Sequence, residues 1–273
     1  MIIYGSIGYT ILNNNNKYVI VFADMHDKLE ECDGSITITD WLKLKFKTSH
    51  ILLEEVSRED VKLKEIWPNS KHTQELKKLF LENSNKIKPI DIRPFLIPFS
   101  WELLKSSDDV LILGSIKLYQ FLQNLDLFFC LKDKYLIKKF EMYDFDKINN
   151  TKMGNCFIEL KKKYYEFICI NKDLLNIQLI NIFKNYNYLL DQINELLDQI
   201  MEWYTCASIV ILNESSIIHT GLAHSEKIIN ILTSDYEYMI ITEIGTNKLD
   251  DIGDLNNTNG CLNFSNEHNN LFG

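Results

Sequence analysis

Arginine is nearly missing from this chain. Of 29 Lys and Arg in 273 residues, only Arg58 and Arg93 are arginines. In such a lysine-rich background a retained arginine points either to a need for its planar fork or to chance, and both readings stay open. A basic excess is also lacking. The formal net charge is −9, which argues against a nucleic-acid partner or an anionic membrane surface, without excluding a local basic patch. The chain has no CxxC. Its cysteines, Cys32, Cys130, Cys156, Cys169, Cys206 and Cys261, follow no metal or disulfide framework. Free thiols in a reducing compartment are expected, and no cysteine zinc site. No apolar run approaches membrane-spanning length, 207–212 being the longest candidate. Residues 1–12 carry no basic stretch and no small-residue cleavage site, so no signal peptide is expected. Together these absences predict a cytoplasmic protein. No solenoid-type repeat is found.

Hydrophobic residues make up 46% of the chain and charged residues 25%, ordinary for a protein with a buried core. Residues 2–12 and 17–23, rich in Ile, Val and Tyr, flank Asn13–Asn16 and predict a hairpin. Residues 36–46 predict a helix capped by Ser35 or Thr37. The apolar run 49–56 predicts a strand covered on both faces. A helix is expected over 72–84, with Leu76, Leu79 and Phe80 inward and Lys77 and Lys78 on the other face. A strand over 87–92, stopped by Pro94, a helix from near Ser100 with Glu102 in its first turn, and an apolar helix over 110–130 follow. Residues 155–205 read as helical, with an apolar stripe from Phe183 to Tyr204 best explained as core packing. Strand 215–220, helix 224–233 and strand 236–243 complete the pattern. The alternation predicts an α/β domain over 1–244, its mainly parallel central sheet flanked by helices. A helical insertion at about 100–210 would form a lid or second lobe. The Asn-, Asp- and Gly-rich segment 245–273 is expected to pack loosely.

Twice an apolar strand runs into a small residue, two further residues and a histidine. Val19–Phe22 leads into Ala23-Asp24-Met25-His26, and Ser216–Thr220 into Gly221-Leu222-Ala223-His224. Two other strands end in Glu54-Glu55 and in Asp91-Ile92-Arg93. If these strands are parallel neighbours, their ends converge on one rim, where open α/β sheets place their sites. Asp24 would orient His26 and raise its basicity, as a general base or a metal ligand requires. The plainer reading is a surface-loop histidine beside solvated acids. His224, at a helix start, is expected to be neutral, or merely to cap the helix. Adjacent Glu54 and Glu55 point to opposite faces on a strand, so only one can enter a given site; which one stays open. Arg93 could bind an anionic group or pair with a nearby acid. His219 reads as structural. Asp91, His50, His72 and His268 show no convincing partner.

These motifs resemble the superfamily of erythromycin esterases, ChaN-like haem-binding lipoproteins, TIKI proteases and TraB/PrgY proteins. Its members carry a Gly-Glu-x-His-type motif after an early strand, an acidic strand end, an arginine, and a late Gly-x-x-His opening a helix. Ala23-Asp24-Met25-His26, Leu53-Glu54-Glu55, Asp91-Ile92-Arg93 and Gly221-Leu222-Ala223-His224 take those places over roughly residues 17–243. Ala23-Asp24 departs from the usual Gly-Glu, and the shorter carboxylate reaches less far. The resemblance implies hydrolysis of an ester or peptide, metal-assisted in some members, or ligand binding in others.

The leading expectation is a hydrolase acting on a small-molecule or peptide substrate, with His26, Asp24, Glu54, Glu55, Arg93 and His224 as catalytic candidates. His26, His224 and Glu54 would be the ligands of a divalent Mn, Fe or Zn ion, whose identity the spacing does not fix. The alternative is a non-catalytic relative binding a small ligand, metal or haem in the same cleft. A third reading, an interaction protein using the 183–204 stripe, fails if that stripe is buried.

Overall fold

The computed structural model describes residues 1–55, 70–97, 114–131, 151–212, 214–252 and 259–273. Arg58, the helix expected near Ser100 with Glu102, and the first residues of the 110–130 helix lie outside them. The chain divides into two compact units, one of Met1–Asp91 with Tyr204–Gly273 and one of Ile92–Trp203.

The first unit is mixed α/β. Its six-stranded sheet has the order β6-β5-β7-β3-β2-β8, with β2 at Gly8–Asn14, β3 at Lys17–Asp24, β5 at His50–Leu53, β6 at Ile87–Pro89, β7 at Ser216–Gly221 and β8 at Met239–Gly245. Strands β6, β5, β7 and β3 pair in parallel, and β2 and β8 add antiparallel pairings at one side. The expected hairpin joins β2 to β3. Asn15 and Asn16 both have positive φ, 52° and 67°, which a two-residue turn between right-twisted strands demands and asparagine tolerates. A small sheet of order β4-β1-β9 is built from β1 at Ile2–Tyr4, β4 at Ile36–Thr37 and β9 at Cys261–Asn263.

Alternate residues of the central strands enter different layers. Ile20 and Phe22 of β3, Ile51 and Leu53 of β5 and Ile217 of β7 join Trp41 and Leu42 of helix α1 (Ile38–Lys45) and Leu76, Leu79 and Phe80 of α2 (Lys71–Glu82) in one core. Thr37 caps α1 by accepting from the Asp40 backbone N–H. The C-terminal residues belong to this core too. Phe264 and Phe272 are buried, and the Phe264 ring lies 5.0 Å from Tyr9 and 5.2 Å from Trp41. Strand β9 pairs antiparallel with β1. The segment expected to pack loosely is therefore, in its described part, a strand, a buried aromatic anchor and a short helix. Cys261 of β9 is joined to Cys32 in a disulfide spanning 229 residues, which corrects the expectation that all the cysteines are free. Among the described residues Cys130, Cys156, Cys169 and Cys206 are free.

The second unit is helical in its described residues: α3 (Arg93–Leu96), α4 (Leu118–Phe121), α5 (Gln123–Cys130), α6 (Lys152–Ile170), α7 (Leu179–Asn185) and most of α8 (Asn187–Ile211). Phe128, Phe129, Phe157, Tyr164 and Trp203 form its aromatic centre. The α8 stripe is buried from Leu189 through Ile193, Leu197, Ile200 and Trp203. Core packing accounts for it, and the interaction reading loses its support. No described helix is long and apolar enough to cross a membrane.

Candidate functional site

The sheet topology brings the ends of β3, β7 and β5 side by side. Asp24 is the register partner of Gly221, Leu53 that of His219, and the Glu54 N–H donates to the His219 carbonyl at 3.0 Å. The two small-residue-to-histidine motifs thus sit on neighbouring parallel strands, with the Glu54 strand beyond.

Asp24 ends β3 with its side chain wholly buried. Its Oδ1 accepts from the Met25 N–H at 2.8 Å, and its Oδ2 faces His26 Nδ1 at 2.8 Å. His26 reaches back across only two residues because its backbone is left-handed, φ 54°. A histidine in that region carries strain of order 1 kcal/mol or more, offset here by the bond to Asp24. That bond fixes a proton on Nδ1 and leaves Nε2 to face Glu54 Oε2 at 3.5 Å. The shorter aspartate, which departs from the Gly-Glu pattern, reaches the imidazole.

Glu54 is held from β7 and the helix that follows it. Its Oε2 accepts from the Thr220 hydroxyl and the Gly221 N–H, both at 2.7 Å. Its Oε1 lies 3.7 Å from His224 Nε2, on the first turn of α9 (Leu222–Tyr236). Gly221 is required for close approach: a Cβ there would lie 3.0 Å from His26 Nε2 and 3.4 Å from Glu54 Oε2. The side chains of His26, His224 and Glu54 keep 18%, 13% and 10% exposure, against 0% for Asp24. The three keep some side-chain surface and the orienting acid keeps none.

Burial alone would raise the Asp24 carboxyl, but hydrogen bonds from His26 and His72, with their charges, hold it well below the usual value. Burial alone would lower His26, but hydrogen bonds to Asp24 and Glu54, with their charges, carry it well above the usual value. His219 is lowered by burial and faces the Gly5 carbonyl through Nε2 at 3.0 Å, a structural contact as expected.

Glu54 and Glu55 part just past the end of β5, where the Glu55 N–H turns back to donate to the Leu53 carbonyl at 2.7 Å. Glu55 follows Leu53 toward α2, where its buried carboxylate lies 3.2 Å from Lys77 Nζ. Burial pushes Glu55 up to about 7, with Lys77 pulling the other way. It pairs with Lys77, which is itself buried rather than on the solvent face of α2. Arg93 belongs to the second unit, where its Nη1 donates to Asp198 at 2.6 Å; β6 ends at Pro89, before the arginine.

The residue that sequence reasoning missed is His72. Its Nε2 lies 2.7 Å from Asp24 Oδ1, opposite His26, and its side chain is 1% exposed. The signal was present in the helix period: His72 and Thr73 precede Leu76 by four and three residues, on the same inward face.

Among the described residues no group of three His, Cys, Asp or Glu side chains could hold a metal ion. Glu54 Oε2 is already engaged by two donors. His26, Glu54 and His224, expected to hold Mn, Fe or Zn, are not arranged as such a group. No family model, curated protein or solved structure matches the chain.

Proposed function

We propose that this protein is a hydrolase of an ester or peptide bond, with a histidine–carboxylate site that activates water. One observation carries the reading: His26, whose side chain keeps 18% exposure, has Nδ1 bonded to a fully buried carboxylate while Nε2 faces a second, anchored carboxylate. An imidazole in that setting takes the proton of an attacking water on Nε2 as the new C–O bond forms. Glu54 stabilises the imidazolium, which then returns the proton to the departing alkoxide or amine as its bond to carbon breaks. His224 faces the other oxygen of Glu54 and orients that carboxylate. No step is routed through a metal. Because Asp24 and Glu54 favour the imidazolium, the free base gains population only as pH rises above the usual imidazole value of 6.5, and hydrolysis should quicken on the alkaline side. The Cys32–Cys261 bridge favours an oxidising compartment over the cytoplasmic one that the cysteine pattern suggested.

The test is a hydrolysis screen over activated acyl esters and short peptides, comparing wild type with His26→Ala. Loss of a general base costs about 10²–10⁴-fold. A wild type as inert as His26→Ala on every substrate would remove the reading and leave ligand binding in the same cleft as the better account.

A further inference from the structure

His72 lies outside every motif that pointed to the site, yet it is bound to the site's most buried group. It stands on the second residue of α2, its ring edge-on to Tyr4 with centroids 6.3 Å apart. Ser70 Oγ lies 3.4 Å from the ring nitrogens and 2.5 Å from Thr73 Oγ1, and Thr73 Oγ1 lies 3.5 Å from Asp24 Oδ2. The start of α2 is therefore a polar brace pressed against one carboxylate inside a core.

Asp24 has two oxygens and two imidazoles, one on each. A carboxylate's last torsion is held most firmly when each oxygen is engaged by a group anchored elsewhere in the fold. If only His26 held it, Oδ1 would keep the short-range Met25 N–H alone, and the carboxylate could turn away from His26. His72 removes that freedom from the opposite side, and its own position is fixed by the helix and by Tyr4. Gly5 supports this packing: it has φ 111°, and a Cβ there would meet Ile38 Cγ2 at 2.7 Å and His72 Cβ at 3.3 Å.

We infer that His72 is a positioning residue which, through Asp24, fixes the orientation of His26 and the hydrogen bond of its Nδ1–H. It touches no reacting atom. The inference rests on the hydrolase reading for its purpose, but its signature is a ring state that can be read without any substrate.

The experiment compares wild type, His72→Gln and His72→Asn. Glutamine carries its amide nitrogen about where Nε2 sits and can still donate to Asp24; asparagine, one carbon shorter, cannot reach. Both are polar and smaller than histidine, so a purely structural loss would affect both. Folding is checked by circular dichroism. The ring nitrogens of His26 are then observed by ¹⁵N-resolved NMR, assigned with His26→Gln. Wild type and His72→Gln should show the proton on Nδ1 and a downfield, exchange-protected N–H. His72→Asn should lose that protected signal, with hydrolysis falling about 10–100-fold where activity is found. An unchanged His26 spectrum in folded His72→Asn overturns the inference. So does loss of the signal in both variants, or failure of both to fold, since the role is then general packing. Absence of hydrolysis with the spectral difference intact would sink the hydrolase reading and leave the positioning role standing.

Discussion

Replacing Asp24 by asparagine keeps the shape of the side chain and removes its charge. In the native protein the carboxylate faces His26 Nδ1 at 2.8 Å and His72 Nε2 at 2.7 Å, with no side-chain surface exposed. An amide offers one acceptor oxygen, so one imidazole meets an NH₂ group instead. A lost charge-assisted hydrogen bond is worth about 1.5–3 kcal/mol, and an orphaned buried donor adds about 1–3 kcal/mol. The expected destabilisation is about 3–5 kcal/mol, the usual range for removing one partner of a buried pair. The loss depends on pH with a definite sign. Asp24 is held below its usual 3.8, so its contribution is complete above 3.8 and disappears as pH falls through the folded-state value. His26 is raised above 6.5, so its contribution is complete below 6.5 and disappears as pH rises through the folded-state value. Wild type should thus exceed Asp24→Asn most clearly between pH 3.8 and pH 6.5. Urea unfolding followed by circular dichroism across this range measures the difference. Equal midpoints for the two proteins throughout the window would refute the claim that an ionised, doubly bonded Asp24 is part of the folded state.

Three other outcomes are expected. Gly221→Ala puts a Cβ 3.0 Å from His26 Nε2, so hydrolysis should drop while stability falls by only about 1–3 kcal/mol, the range for overpacking; unchanged kcat/KM would show that the glycine is not needed for the approach. Phe264→Ala should cost about 3–5 kcal/mol in urea unfolding because its ring is buried among Tyr9, Phe22 and Trp41. A loss within the scatter of surface substitutions would place the C-terminal segment outside the core. Reduction of Cys32–Cys261, or Cys261→Ser, should lower stability by up to about 5 kcal/mol, the chain-entropy limit for so long a loop. Thiol titration of native protein before and after reductant checks the bridge, and no gain in thiols on reduction would contradict it.

The parts of the site that were legible in the sequence are those carried by backbone pattern. A small residue closing an apolar strand marks where β3 and β7 end, and parallel pairing does the rest. The hairpin was legible because paired asparagines suit positive φ at Asn15 and Asn16. That the adjacent glutamates would part was legible, although β5 ends before them: Glu54 joins His26 while Glu55 goes to Lys77. What stayed hidden were pairings across long sequence distance. His72 meets Asp24 across 48 residues, and its helix face was read from Leu76, Leu79 and Phe80 alone. Lys77 was assigned to water because lysine usually goes there, whereas a buried glutamate draws it inward. Cys32 and Cys261 pair without any local spacing signal. The composition of residues 245–273 suggested loose packing, but a few anchors outweigh composition: Phe264, Phe272 and Cys261 fasten the described part of the segment. For Arg93 the motif order gave no hint that the chain had passed into the other unit, where Asp198 receives it.

The claim that His26 and Glu54 act together is tested most directly by a double-mutant cycle on kcat/KM, using His26→Ala, Glu54→Gln and both together. Groups that work as one unit give losses that do not multiply, so the double variant should be hardly worse than His26→Ala alone. Losses that multiply across the cycle would mean that the two side chains, 3.5 Å apart, contribute independently, and the acid–base pair would have to be abandoned.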